Sequence, residues 1–286
     1  GSLLSPKQSQ RAHPPENHET SGTAQPERIS MKPCYFKTTL VLLAVLTFLF
    51  MVFPGQSNAE DLKKDLVVGF FSSLQPGMDP PPGWEPLVFK KIDRHTRYER
   101  VMDDGVVVVK AVGTASASGL IRKIQIDPME YPLVEWRWKV SNTLQTGDVT
   151  QKQGDDYPAR IYITFAYDPS KLSFGNRIKY KTAKLLYGEY PPTGAINYIW
   201  GSHAAIGTIV PNPYTDRAMM VVVESGGENV NQWVTHTRNL LEDFRNAFHT
   251  DPPMISGVAI MTDTDNTGEA ATAFYGDIIF KRLHGN

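Results

Sequence analysis

Leu133-Val-Glu-Trp-Arg-Trp-Lys-Val140 alternates strictly, with Val134, Trp136, Trp138 and Val140 at one parity and Glu135, Arg137 and Lys139 at the other. Side chains of a strand point alternately to its two sides, so this stretch reads as a β-strand burying two tryptophans and presenting a charged outer face. Arg160-Ile-Tyr-Ile-Thr-Phe-Ala-Tyr167 is a second expected strand that repeats the pattern, with Ile161, Ile163 and Phe165 inward and Arg160, Tyr162 and Thr164 outward.

Working outward, short apolar segments recur between clusters of Gly, Pro, Asp and Asn, the pattern of an all-β domain. Further strands are expected at 66–71, 87–92, 98–102, 106–112, 119–126, 197–200, 218–224, 233–237, 256–262 and 273–281. Asp103-Asp104-Gly105 marks a hairpin turn. One short helix is expected near 240–248, opened by Asn239 with Glu242 three residues on and carrying the stripe Leu240, Leu241, Phe244 and Phe248. Residues 168–195 are irregular and read as an insertion. No composition shift divides the rest, so residues 60–286 are expected to form a single two-sheet antiparallel β-sandwich domain.

The N-terminal region has a different character. Residues 1–30 are polar and Pro-rich with almost no aliphatic content, and are expected to be a disordered upstream segment. Met31 reads as a start, followed by Lys32 and Lys37, an apolar run from Leu40 to Phe53, and Ser57-Asn58-Ala59. That order is a signal peptide over 31–59 with cleavage before Glu60, implying a periplasmic or secreted protein. The apolar run is short of the ~20 residues that span a bilayer, so no stable transmembrane span is expected after cleavage. Cys34 is the only cysteine and lies before the run, which excludes a lipoprotein anchor, a disulfide scaffold, a thiol nucleophile and a thiolate metal site.

Residues 60–286 carry 24 Lys and Arg against 27 Asp and Glu, a formal charge of −3. The densest basic stretch, Arg177 to Lys184, reads as a solvated face, and no basic stripe suggests a nucleic-acid partner. His203 and His236 stand alone, Ser116 and Ser118 lack a nucleophile elbow, and no phosphate-binding glycine loop exists. Adjacent Asp155 and Asp156 point to opposite sides if extended, so an Asp156–Arg160 ion pair is the expectation. A glycosidase pair drawn from distant segments, such as Asp155, Glu224 and Asp243, stays open.

Met261-Thr-Asp-Thr-Asp-Asn-Thr-Gly268 concentrates hard oxygen donors. Asp263, Asp265 and Gly268 match an EF-hand loop, but Phe274 stands where the bidentate Glu should be. The stretch reads as a polar turn. Its alternative is a structural calcium site using Asp263, Asp265 and Asn266, with Asp277.

Ala115-Ser-Ala-Ser-Gly-Leu120, Glu135-Trp-Arg-Trp-Lys-Val140, Gly154-Asp-Asp-Tyr-Pro-Ala-Arg-Ile-Tyr162, Asn197-Tyr-Ile-Trp-Gly201, Arg238-Asn-Leu-Leu-Glu-Asp-Phe244 and Met261 to Gly268 together resemble an uncharacterised bacterial family of exported proteins, a numbered domain of unknown function. More loosely, Val68-Gly-Phe-Phe71, Pro82-Gly-Trp84, Val107 to Ala111, Leu133 to Val140 and Phe274-Tyr-Gly-Asp-Ile278 run in the order of galactose-binding-like jelly-roll modules. That resemblance implies a jelly-roll sandwich, sugar binding and a structural calcium ion.

The expected function is a non-catalytic module that binds a carbohydrate or other cell-envelope ligand, first of all an acidic polysaccharide. Its site is expected on the polar face carrying Arg137, Arg160 and Tyr162, with Asn197, Trp200 and Arg238 as neighbours. Arg forks hold carboxylates or sulfates, and aromatic rings stack on sugars. A polysaccharide hydrolase or lyase, and an envelope protein-interaction module, are the alternatives.

Overall fold

The computed structural model describes residues 65–167 and 192–283. The segments expected to be a disordered upstream region and a signal peptide, the Arg177–Lys184 stretch and most of the expected insertion lie outside the described residues. The chain divides into two units, Gly1–Glu60 and Asp61–Asn286, and every described residue belongs to the second.

That unit is a sandwich of two sheets, as the alternation predicts. The first contains β1 (Leu66–Gly69), β3 (Arg97–Asp103), β4 (Val106–Thr114), β6 (Leu133–Val140), β11 (Val234–Asn239) and β13 (Ala270–Lys281). Its order is β11-β6-β13-β4-β3, with β1 also paired to β13. The second contains β2 (Glu85–Leu87), β5 (Ala117–Ile126), β7 (Arg160–Phe165), β8 (Gly194–Gly201), β9 (Ile209–Asn212), β10 (Thr215–Ser225) and β12 (Ile255–Asp263). Its order is β2-β5-β12-β7-β8-β10-β9.

The sandwich is antiparallel with one exception, because β10 runs parallel to β8. The reason is β9, which the apolar pattern does not reveal. Ile209-Val-Pro-Asn212 is short and contains a proline, which a sheet tolerates at its edge. There β9 pairs antiparallel with β10 alone, so β10 reaches β8 in the same direction. Another difference lies at residues 87–92. Pairing with β5 covers Glu85 to Leu87, after which Val88 and Phe89 leave the sheet exposed.

Local signals act as expected. Asp104 and Gly105 both take positive φ, 48° and 77°, in the two-residue turn that closes β3 onto β4. This is the geometry whose twist suits a hairpin. The helix α1 (Leu240–Phe248) starts where the Asn239 side chain accepts a hydrogen bond from the Glu242 amide at 3.2 Å. It ends at His249 in the left-handed conformation, ahead of Pro252.

The inward tryptophans of β6 join the sheets. Trp136 stacks on Tyr198 of β8 at 5.0 Å between ring centroids, and Trp138 lies 6.2 Å from Trp200. Ile161, Ile163, Phe165, Val221 and Val223 are buried from the opposing sheet, as expected. Phe244 of α1 packs edge-on against Phe165 at 4.5 Å and closes one margin of the core.

Candidate functional site

The outer face of the second sheet holds the cleft that matters. Register places Tyr162 of β7 between Asn197 of β8 and Ala259 of β12, with all three side chains on the side away from the core. Thr164 lies between Ala195 and Gly257, and Ala218 follows Ala195 on β10. Small residues beside Tyr162 and Thr164 keep this face low. Longer side chains surround it, and the resulting cleft has a volume of about 1090 Å³.

Its walls differ in chemistry. Leu87, Val88, Phe89 and Ile92 line the side toward β2, an apolar wall left by the chain after it departs from the sheet. The opposite side is polar and built from three loops tied together. The Tyr214 hydroxyl donates to Asn266 Oδ1 at 2.7 Å and to the Lys152 carbonyl at 3.1 Å. Asn266 Nδ2 donates to Asp156 Oδ1 at 3.1 Å, and Asn212 Nδ2 to Asp155 Oδ2 at 2.7 Å. A ligand would meet carbonyl and amide groups on this side and hydrocarbon on the other.

Arg160 is buried and forms an ion pair with Asp263. Its Nε donates to Oδ1 at 3.0 Å and its terminal nitrogen to Oδ2, while the guanidinium lies 4.7 Å from the Tyr157 ring centroid. The expected pair with Asp156 is therefore not formed. Asp156 instead accepts from Asn266 and from the Thr267 amide at 2.6 Å. Lys123 is engaged by Glu85 at 2.9 Å. With Arg160 held by Asp263 and Lys123 by Glu85, Asp155 and Asp265 outnumber Lys91 among the other charges that line the cleft. Burial, followed by the neighbouring Asp156, raises the pKa of the Asp265 carboxyl above the ordinary range. Burial likewise raises that of Tyr162, so its hydroxyl keeps its proton.

Asp156, Asp263 and Asp265 bring carboxylate oxygens within 4.8 Å of one another, which realises part of the expected calcium site. Their chemistry does not fit a prepared cage. Both Asp263 oxygens are held by Arg160, one of them also by the Tyr157 amide, and both Asp156 oxygens by the 266–267 loop. Asn266 Oδ1 is taken by Tyr214. Asp277 lies on the other sheet, accepting from the Ser72 amide and hydroxyl at 2.9 and 2.5 Å. Calcium takes roughly six to eight oxygens, and of the four expected donors Asp263, Asn266 and Asp277 are committed elsewhere, which leaves Asp265.

Of the six expected ligand-binding residues, Arg160, Tyr162 and Asn197 meet in the cleft. The other three do not. Arg137 lies on the first sheet, its guanidinium 4.5 Å from the Trp233 ring centroid. Trp200 is fully buried in the core, with its indole nitrogen donating to the Gly226 carbonyl at 3.1 Å. It lies three positions after Asn197, so alternation already assigns the two to opposite faces. Arg238 lies opposite inward-facing Val134 and pairs with Asp243 of α1, whose carboxylate also accepts from Tyr198 at 2.8 Å. That commitment also removes Asp243 from the carboxyl pairs considered for hydrolysis.

Asn212 and Tyr214 are functional candidates missed in the sequence. Asn212-Pro-Tyr214 is a turn bearing a polar aromatic, which is the one signal that could have drawn notice. Tyr214 is 56% exposed and lines the cleft.

Residues 82–279 match the model of a family described as a protein of unknown function, DUF3047. No curated protein matches the sequence. Among solved structures, the chain is similar to a family 30 carbohydrate-binding module from a Clostridium thermocellum cellulosomal cellulase, at 10% identity and a TM-score of 0.37, covering 78% of this chain and 99% of that one. It is also similar to the carbohydrate recognition domain of Emp47p, at 11% identity and 0.39 over 77% and 97% of the two chains. A Stig cyclase from Fischerella sp. TAU matches at 10% identity and 0.33, over 77% and 100%. At these levels the likenesses bear on neither ligand nor activity.

Proposed function

The chain belongs to the DUF3047 family, and we propose that it is a non-catalytic module that binds carbohydrate in the cleft on the outer face of its second sheet. The observation that carries this reading is the cleft itself. It is a trough on the outer face of the sheet, with Tyr162 at its floor, hydrocarbon on one wall and hydrogen-bonded amide and hydroxyl groups on the other. Sugar rings have an apolar face and a polar edge, and such a two-sided surface complements both. The chain is further proposed to be exported, on the strength of the charged, apolar and small-residue order within 31–59. Among the described residues, no helix is long and apolar enough to cross a membrane.

Support shifts from an acidic to a neutral glycan. Arg137 and Arg160 lie on different sheets, and Arg160 already holds Asp263. Calorimetric titration with neutral hexasaccharides (cellohexaose, xylohexaose, mannohexaose) and with polygalacturonate, at two salt concentrations, tests the proposal. At least one neutral ligand should bind, and Tyr162→Ala should weaken it about tenfold through lost stacking. Failure of every glycan to bind would reject the reading.

One observation favours a second reading as a polysaccharide hydrolase. Asp155 and Asp265 line the same cleft, and Asp265 is pushed toward its protonated form by burial and Asp156. A carboxyl pushed toward its protonated form with a second carboxyl in the same cleft is the arrangement that acid–base cleavage uses. Release of reducing ends from the bound oligosaccharide, lost in Asp265→Asn, would establish it.

A further inference from the structure

Asn197 is 1% exposed, and neither its carboxamide oxygen nor its nitrogen has a hydrogen-bond partner. An amide shut away from water without partners costs the folded chain its hydration and receives nothing back. Nothing in the strand demands an amide there. The neighbouring outward positions of β8, Ala195 and Ile199, are apolar, and Met220 lies alongside on β10. A leucine would fill similar space at no such cost. The residue nevertheless lines the cleft next to Tyr162.

We infer that Asn197 is the group that reads the ligand, pairing its carboxamide with two adjacent hydroxyls of a neutral sugar whose ring lies against Tyr162. The amide nitrogen donates two hydrogens and the oxygen accepts. Neighbouring hydroxyls each do both, so a vicinal diol satisfies the two amide atoms at once. Charge argues for neutrality. The one buried cation of the cleft is held by Asp263 and Lys123 by Glu85, and Asp155 and Asp265 outnumber Lys91 among the remaining lining charges, so a carboxylated or sulfated ring would find no buried cation free to receive it. This inference rests on the reading of the cleft as a carbohydrate site.

The test compares wild type, Asn197→Leu and Asn197→Asp by calorimetry with cellohexaose, xylohexaose, mannohexaose and chitohexaose, together with the melting temperature of each protein. Asn197→Leu should weaken the neutral hydroxylated ligand about tenfold or more. Its melting temperature should be unchanged or raised, because the variant removes an unsatisfied buried amide. Asn197→Asp should weaken the same ligand, since it loses the donor. Wild-type binding that survives in Asn197→Leu would overturn the inference while leaving the carbohydrate reading standing. So would a melting temperature that falls together with affinity, which would make Asn197 a structural residue. Asn197-dependent binding of chitohexaose alone would replace the diol with an acetamido group and overturn the assignment. Absence of binding by wild type would reject the inference and the reading beneath it together.

Discussion

Arg160 illustrates how a residue's partner decides its work. Its outward position follows from alternation, yet its guanidinium is spent on Asp263, which lies on the adjacent strand β12, two residues past Arg160's register partner Met261 and about a hundred residues away in sequence. Both side chains are buried, so removing one partner strands a charge. Arg160→Ala should cost about 3–5 kcal/mol in chemical denaturation, whereas Arg160→Met combined with Asp263→Leu should recover most of that loss. An Arg160→Ala protein of wild-type stability would return the guanidinium to the list of ligand-binding groups. His236 is a second case. It packs between Trp136 and Trp138, at 5.4 and 5.5 Å from their ring centroids. Burial, then Arg238, lowers its pKa to about 4. The folded protein therefore resists protonation that the unfolded chain accepts near its ordinary value of about 6.5. Stability is complete above that pH and declines as pH falls toward about 4, by on the order of 1–2 kcal/mol once partial exposure is discounted. His236→Phe should flatten this part of the pH dependence of the melting temperature. An unchanged pH profile would show that His236 is not the titrating group.

At the scale of elements, α1 joins local and tertiary causes. Asn239 caps it, Glu242 and Asp243 lie in its first turn near the positive end of its dipole, and Leu240, Leu241 and Phe244 turn to the core. The cap is a local interaction, so Asn239→Ala should lower the urea midpoint by the equivalent of about 1 kcal/mol with an unchanged slope, and Asn239→Asp should retain it. A changed slope would mean that the helix detaches as a unit. The capping signal, the hairpin at Asp104-Gly105 and the full extent of β6 were readable because each depends on neighbouring residues alone. The edge strand β9 was not readable, because four residues including a proline have no periodicity of their own and become a strand only when β10 supplies hydrogen bonds.

In the whole molecule, the sandwich separates residues that look equivalent on paper. Arg137 and Arg160 both face outward, but from different sheets, so their side chains point away from each other across the core. Arg137→Ala should accordingly leave glycan binding unchanged while Tyr162→Ala impairs it, a contrast measured in one titration series. The acidic loop behaves similarly. Its carboxylates converge, but on Arg160 and on their own backbone, with Asp277 remote on β13. The melting temperature should therefore be the same in chelator and in millimolar calcium. A calcium-dependent rise would show by linkage that the ion binds the native state and displaces these contacts.

Alternation, turn chemistry and helix capping act over two to four residues, which is why Leu133–Val140 alone was enough to announce a sandwich strand with Trp136 and Trp138 inside. Those same rules state which side of its own strand a residue occupies, and they place Arg160, Tyr162 and Thr164 outward correctly. They are silent on which sheet a strand joins and on what lies beside it. Pairing is settled by contacts between segments far apart in the chain, each competing to bury apolar surface and to complete backbone hydrogen bonds. Only that competition set Tyr162 beside Asn197, sent Arg137 to the opposite sheet, paired Arg238 with Asp243, and left one carboxamide without a partner on the floor of a cleft.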